Sequence, residues 1–259
     1  MLTDILGQPR SSVALLYHDI VPDEEADQSG VNTEWSWRYK LPPDRFRSHL
    51  QVIDDSEFSP TTIDDPGEQC VYLTFDDGGA SATTAAELLE EFGFRGHFFV
   101  ITDRIGDPNY LSWDEIGDLV NRGHVVGSHT VTHADLVNAT PAKRRTELID
   151  SRAVLQDRLG VGDAVSIPLG QYNGAVFDAV ADAGYEYTFT SEPERLPSDG
   201  SGRIGRWSVR HYTTAEEIRK ILYANPAYYV RVAGRWKSLR AIKSVVGRDR
   251  FVRIRDAII

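Results

Sequence analysis

Apolar and polar positions follow two rhythms along this 259-residue chain. Short apolar runs bounded by turn residues fall at 12–17, 70–75, 96–101, 124–128, 165–168, 185–190 and 204–209, and predict buried strands. Segments 43–53, 81–92, 112–121, 141–159, 174–183 and 214–223 lie between or after them and predict helices. Repeated strand–helix units imply an α/β protein with a parallel sheet and helices outside. About seven such units predict a distorted (β/α)7-type barrel of parallel strands, with chemistry at the strands' C-terminal ends. Two segments break the rhythm. Residues 19–41 form a long acidic connection carrying Trp35, Trp37 and Tyr39, either a platform for sugar rings or a loop pinned to the body by its aromatics. Residues 192–203 read as a polar surface loop.

Composition narrows the class. Hydrophobic residues make up 41% of the chain, enough for a real core. The single cysteine, Cys70, excludes an intramolecular disulfide and a cysteine-cluster metal site, and its apolar surroundings make it a buried small hydrophobe. Residues 1–7 lack the basic start and long apolar stretch of a signal peptide, and no apolar run reaches the length of a membrane span. The expectation is a cytoplasmic protein. The net charge is −11, but residues 231–259 hold nine Lys or Arg against two Asp, which leaves −18 on residues 1–230. An acidic body argues against nucleic acid as a partner.

That charge split divides the chain into a catalytic barrel at 1–230 and a basic amphipathic helical extension at 231–259. Leu239, Ile242, Val245 and Val246 share one helical face, with Lys237, Arg240 and Lys243 elsewhere. Phe251, Ile254 and Ile258 repeat the pattern after Gly247. Such a helix pair suits docking on the acidic body or a partner. It also suits peripheral contact with an anionic membrane.

The chemistry sits where two apolar runs end. Thr74-Phe75-Asp76-Asp77-Gly78 closes one, and His129-Thr130-Val131-Thr132-His133 closes another. Consecutive carboxylates on an extended strand face opposite ways, so Asp76 and Asp77 converge only if the chain turns, which Gly78-Gly79 permits. His129 and His133, at i and i+4, share a face if that segment forms a helical turn. One Asp and two His are a facial set for a divalent metal with open positions, and the other Asp is left to accept a proton.

These residues resemble the polysaccharide deacetylase family, carbohydrate esterase family 4. The resemblance spans about residues 12–225 and includes Arg95-Gly96-His97-Phe98-Phe99-Val100 and the Gly123–His133 stretch. It implies Asp76 as general base and Asp77, His129 and His133 as metal ligands. Zinc is the first choice of ion, with cobalt, nickel or manganese as alternatives. The opening Leu16-Tyr17-His18-Asp19-Ile20 is similar to the branch associated with surface-polysaccharide synthesis. The third family motif is partly kept as Ser166-Ile167-Pro168-Leu169-Gly170-Gln171-Tyr172. The resemblance puts the Leu169 N–H at the oxyanion and Tyr172 beside the substrate. Ser166 replaces the arginine that orients the base, with Arg206 and Arg210 as candidates for that task. The fifth motif is placed at Val209-Arg210-His211, making His211 the acid that protonates the leaving amine, with His18 as a rival. The fourth motif is not recognisable, and Trp207 is either a pocket wall or core. His97 and His124 read as structural, and His49 as facing solvent or the helix–barrel seam.

The implied activity is metal-dependent removal of an N-acetyl group from an amino sugar, in a glycan or in a lipid-linked precursor. Two alternatives stand beside it. One is a metal-dependent deformylase or amidase on another N-acyl substrate. The other is a catalytically impaired carbohydrate-binding relative, motivated by the missing third-motif arginine.

Overall fold

In the computed structural model, residues 11–33, 36–196 and 202–246 are described, those at 239–246 by backbone alone. The apolar runs become strands: β1 Val13–Tyr17, β5 Cys70–Phe75, β6 His97–Val100, β7 Val125–Ser128, β8 Ala164–Ser166 and β9 Tyr187–Phe189. Two-residue strands β2 Asp19–Ile20, β3 Lys40–Leu41, β10 Arg203–Ile204 and β11 Trp207–Ser208, and the short β4 Ser59–Thr61, complete the set. All pairings among these strands are parallel, in the order β10-β9-β8-β7-β6-β5-β1-β11. β4 pairs with the first half of β5 and β6 with its end.

The two outermost strands of that order, β10 and β11, are consecutive in the chain and separated only by Gly205-Arg206. The barrel therefore closes through two residues of backbone rather than through a ladder. The single strand expected at 204–209 is split here. The break holds a glycine, Gly205, because a Cβ there would lie 2.2 Å from the Glu194 side chain and 2.6 Å from the Glu192 carbonyl.

Alternation sorts the buried side chains into layers. Val13, Leu15, Tyr17, Val71, Leu73, Phe75, Phe98 and Val100 join the apolar layer between sheet and helices. Ala14, Tyr72, Phe99, Ala164 and Phe189 form a second cluster on the opposite, inner face. By the same period Thr74, Asp76 and Ser166 face inward with that second set.

The helices are α1 Pro43–Asp54, α2 Ala82–Glu91, α3 Trp113–Asn121, α4 Pro141–Leu159, α5 Gly174–Asp182, α6 Ala215–Leu222 and α7 Pro226–Val246. α3 and α6 each begin with a capping box, Ser112 with Glu115 and Thr214 with Glu217. His49 lies in the helix–barrel seam, fully buried between the Tyr17 hydroxyl and the Thr213 carbonyl. Burial pushes it down to about 4, so it is neutral. His97 accepts from the Ile63 N–H and donates to the Leu73 carbonyl, and His124 accepts from the Gly96 N–H and faces Glu90. Both are structural. Cys70 is buried, as its surroundings imply.

α7 is one helix that crosses position 230. Tyr229 packs on Trp207 at 4.3 Å, and Trp236 packs against the apolar cluster holding Leu136, Leu148 and Val176. The first part of the basic extension thus rests on the barrel. The side chains of Leu239, Ile242, Val245 and Val246, and the whole second run with Phe251, Ile254 and Ile258, lie outside the described residues, as does Trp35. No helix among the described residues is long and apolar enough to cross a membrane.

Candidate active site

Asp76 and Asp77 follow β5 at its C-terminal end. They converge because the chain reverses at Asp77 itself (φ 75°) as well as at Gly78 (φ 71°). Gly78 has no substitute, since a Cβ would lie 2.9 Å from Val100. The turn is tied down by Asp76 N–H to the Tyr17 carbonyl and Leu111 N–H to the Gly78 carbonyl. A buried network holds it from the other side. Ser29 and Ser81 donate to Asp19, at 2.5 and 3.0 Å, and Lys40 lies 3.7 Å from the same carboxylate. The long 19–41 connection is thereby anchored against the residues that follow Asp77.

His129 and His133 do not form a helical turn. Thr130 (φ 65°) and His133 (φ 59°) are left-handed, and no helix is present at 129–133. The rings nevertheless come together, with centroids 4.8 Å apart. The loop is shaped by partners instead. Thr132 N–H and Oγ1 both donate to the fully buried Glu147, and the Thr102 and Asp103 N–H groups bind the Thr130 and Val131 carbonyls. Among the described residues, four of the seven non-glycine residues with positive φ are Asp77, Thr130, His133 and Leu169, which all lie in the segments that carry this site, where stored strain is a mark of function.

The donor set fits a divalent ion on the chemistry of its atoms. His129 Nδ1 faces the Ser166 carbonyl at 2.9 Å, an acceptor, so Nδ1 carries the proton and Nε2 its lone pair. That Nε2 faces Asp77 Oδ1 at 3.4 Å, and His133 Nε2 faces the same oxygen at 3.7 Å. Asp77 Oδ1 is buried and accepts no hydrogen bond. One ligand atom from each of Asp77, His129 and His133 lies within 4.8 Å of the others. Lone pairs converging without hydrogens between them require a cation or an extra proton. Burial and the charge of His129 push His133 down to about 4, which leaves it in its ligating, neutral form. For Asp77, burial opposes ionisation. Its nearness to the imidazoles, His129 first, outweighs that effect and holds the carboxyl below the usual carboxylate range.

Asp76 is held by an arginine that the family pattern does not supply from its third motif. Arg206, fully buried, meets Asp76 in a two-pronged pair at 2.7 and 2.8 Å. It also donates to Thr74 Oγ1, Ser166 Oγ and the Thr190 carbonyl, at 3.1, 2.7 and 3.0 Å. Its guanidinium lies over Phe99 and Phe189, at 5.6 and 5.7 Å from the ring centres. Ser166 itself donates to Asp76 at 3.0 Å. The small Ser166 thus leaves room for an arginine arriving from the β10–β11 link. Burial alone would raise the Asp76 carboxyl, but the Arg206 charge, then His129, bring it below the usual carboxylate range. Arg210 is not the orienting group. Its guanidinium bonds the Tyr212 hydroxyl at 3.0 Å and lies over Tyr39.

The remaining expected residues are placed as follows. Leu169 is left-handed (φ 61°) in a 3₁₀ turn over Pro168–Gly170, just after β8. Tyr172 directs its hydroxyl to Glu192 and its ring to Phe177, so its polar end is engaged by the protein. His211 lies on the outer rim. Its Nδ1 meets the Lys40 carbonyl at 2.8 Å, its ring meets Trp37 edge-on, and Asp23 is 3.7 Å away. Among the described residues it contacts none of Asp76, Asp77, His129 and His133. His18 is closer: it lies within electrostatic reach of Asp76, Asp77 and His133, and its buried Nδ1 has no hydrogen-bond partner. Trp207 is core, 1% exposed, rather than a pocket wall.

Residues 63–188 match the family model for polysaccharide deacetylase. The match includes Asp76, Asp77, His129, His133 and the Ser166–Tyr172 segment, while His18, Arg206 and His211 lie outside it. The chain is similar to YxkH of Bacillus subtilis, 26% identical over 172 residues, and spans 62% of that protein's length and 62% of its own. It is 27% identical over 156 residues to the peptidoglycan-N-acetylglucosamine deacetylase of Bacillus cereus, covering 58% of this chain and 71% of that one. The Streptococcus pyogenes deacetylase PplD, solved with acetate, shares the fold. Its TM-score is 0.70 at 24% identity, over 83% of this chain and 99% of that one. The parallel barrel with surrounding helices is shared with PplD.

Proposed function

We propose that this chain hydrolyses the N-acetyl group of an amino sugar in a glycan or glycan precursor, with one divalent ion held by Asp77, His129 and His133. The observation that carries this reading is the placement of an ionised, arginine-clamped Asp76 beside the converging ligand atoms of Asp77, His129 and His133. The ion, zinc in this reading with cobalt, nickel or manganese as alternatives, supplies Lewis-acid polarisation and acidifies water. Asp76, kept ionised by Arg206, takes a proton from the attacking water. Its fixed orientation means no reorganisation is needed when it does so. Leu169, presented by its strained turn, offers its N–H toward the oxyanion. The relative named for peptidoglycan N-acetylglucosamine supports an N-acetylated sugar over other N-acyl substrates. The impaired-binder alternative loses its motive, because Arg206 supplies the missing arginine.

His18, rather than His211, is the group we assign to protonating the leaving amine. The reason is its place beside Asp76 and Asp77. Acetate release from an N-acetylglucosamine oligosaccharide tests both assignments. His18→Gln is expected to lower kcat by about 10²–10⁴, the usual range for a lost general acid, and His211→Gln by less than about tenfold. The reverse order restores His211, and formate release in place of acetate from matched N-formyl and N-acetyl sugars moves the substrate to the deformylase class.

A further inference from the structure

The rim outside His18 combines exposed aromatic rings with cations that have no acidic partner. Trp37 and Tyr212, 48% and 50% exposed, are two of the four large hydrophobic side chains exposed among the described residues. Contacts lead out to them from the site. His18 lies against Tyr39 with ring centres 4.6 Å apart, and Arg210 lies over Tyr39 at 6.0 Å. Arg210 then donates to the Tyr212 hydroxyl at 3.0 Å. Arg45 donates to the His211 carbonyl, one residue further on. Among the described residues neither Arg210 nor Arg45 forms an ion pair with a carboxylate, and both are only partly buried. Asp23, 3.7 Å from His211, is an acidic group at this rim.

Two guanidiniums at this rim without a carboxylate partner are unexpected in a chain of net charge −11. A planar fork of N–H donors matches a carboxylate or phosphate, and flat exposed rings match a pyranose face. We propose that Arg210 and Arg45, with Trp37 and Tyr212, form a subsite for a negatively charged sugar residue next to the one that is deacetylated. Its charge is a carboxylate or a phosphate. This rests on the deacetylase reading above and adds the substrate's charge to it. The anion meets Arg210, while the adjoining ring lies along Trp37 or Tyr212.

Three N-acetylglucosamine tetrasaccharides test it: one neutral, one with a uronate residue, one with a phosphate monoester. For the wild-type protein, kcat/KM for one or both anionic forms is expected to exceed the neutral value by about tenfold, carried by KM. Arg210→Gln is expected to remove that preference and Arg210→Lys to restore part of it. The better of the two anionic substrates identifies the group recognised. Equal kcat/KM for all three, or a preference that Arg210→Gln leaves intact, overturns the subsite while leaving the deacetylase reading in place. Tryptophan fluorescence titration with the same three saccharides gives a readout independent of turnover. Tighter anionic binding that Arg210→Gln abolishes, with no acetate released from any form, keeps the subsite and rejects the deacetylase reading. No binding difference and no turnover rejects both.

Discussion

Asp77→Asn is expected to lose bound metal and acetate release together, with activity down by at least about 10³-fold and the fold preserved. The side chain keeps its shape, so packing at the turn is unchanged. The charge that gathers two neutral imidazoles around a cation is gone. Losses of about 10–100-fold in metal affinity follow when only an outer partner of a ligand is removed, so loss of a direct ligand costs more. Metal content per chain, measured alongside acetate release, checks this. A variant that keeps one equivalent of metal and its activity removes Asp77 from the ligand set. Its thermal stability without metal is expected to match or exceed that of the wild type, because a buried carboxylate facing two lone pairs has been neutralised.

The second large effect belongs to Arg206. Arg206→Lys keeps the charge but replaces a two-pronged fork with a point donor. A lysine cannot hold both Asp76 oxygens together with Thr74, Ser166 and Thr190. Misplacement of a base by about 1 Å costs about 10²-fold in rate, and a loss of that order in kcat is expected. The pH dependence has a definite sign. Arg206 lowers the Asp76 carboxyl against the effect of burial, so weakening that contact lets burial raise it. The acid limb of the rate profile therefore moves to higher pH in the variant. Stability follows the same linkage. A depressed carboxyl stabilises the fold above its unfolded value of about 3.9, and the contribution is lost as pH falls through the folded value. Wild-type stability from this pair is thus intact at neutral pH and fails only in acid. Arg206→Met leaves the carboxylate unpaired, at a cost of about 3–5 kcal/mol, and serves as the fold control by thermal melting. An unchanged acid limb in Arg206→Lys would show that Asp76 is set by something else.

Much of this architecture is legible in the residue pattern because buried parallel strands are written as unbroken apolar runs. Cys70–Phe75 and Pro141–Leu159 have the bounds their patterns predict. The elements that escape are those too short to carry a period. The pairing of Asp19–Ile20 with Lys40–Leu41 spans two residues, and its cause is the buried Asp19–Lys40 pair rather than any alternation. Residues 204–209 read as one strand because Ile204, Trp207 and Val209 are apolar, yet the strand is interrupted at Gly205-Arg206.

At the site, residue types were readable and backbone shape was not. Left-handed Asp77 and His133 are set by tertiary contacts, and the helical turn expected from the i, i+4 spacing is absent although both rings still arrive. Arg206 carried a usable signal. An arginine set inside an apolar run needs a buried partner, and Asp76 was the carboxylate in want of one. His211 was favoured over His18 on motif spacing alone. Spacing does not register that His211 meets the Lys40 carbonyl and the Trp37 ring of the 19–41 connection.

The most direct test of the whole account is acetate release from an N-acetylglucosamine oligosaccharide by the wild-type chain, stripped of metal and then reloaded. Metal-free protein is expected to be inactive, and one equivalent of zinc or cobalt to restore release in proportion to occupancy. Undiminished acetate release from verified metal-free protein would contradict it.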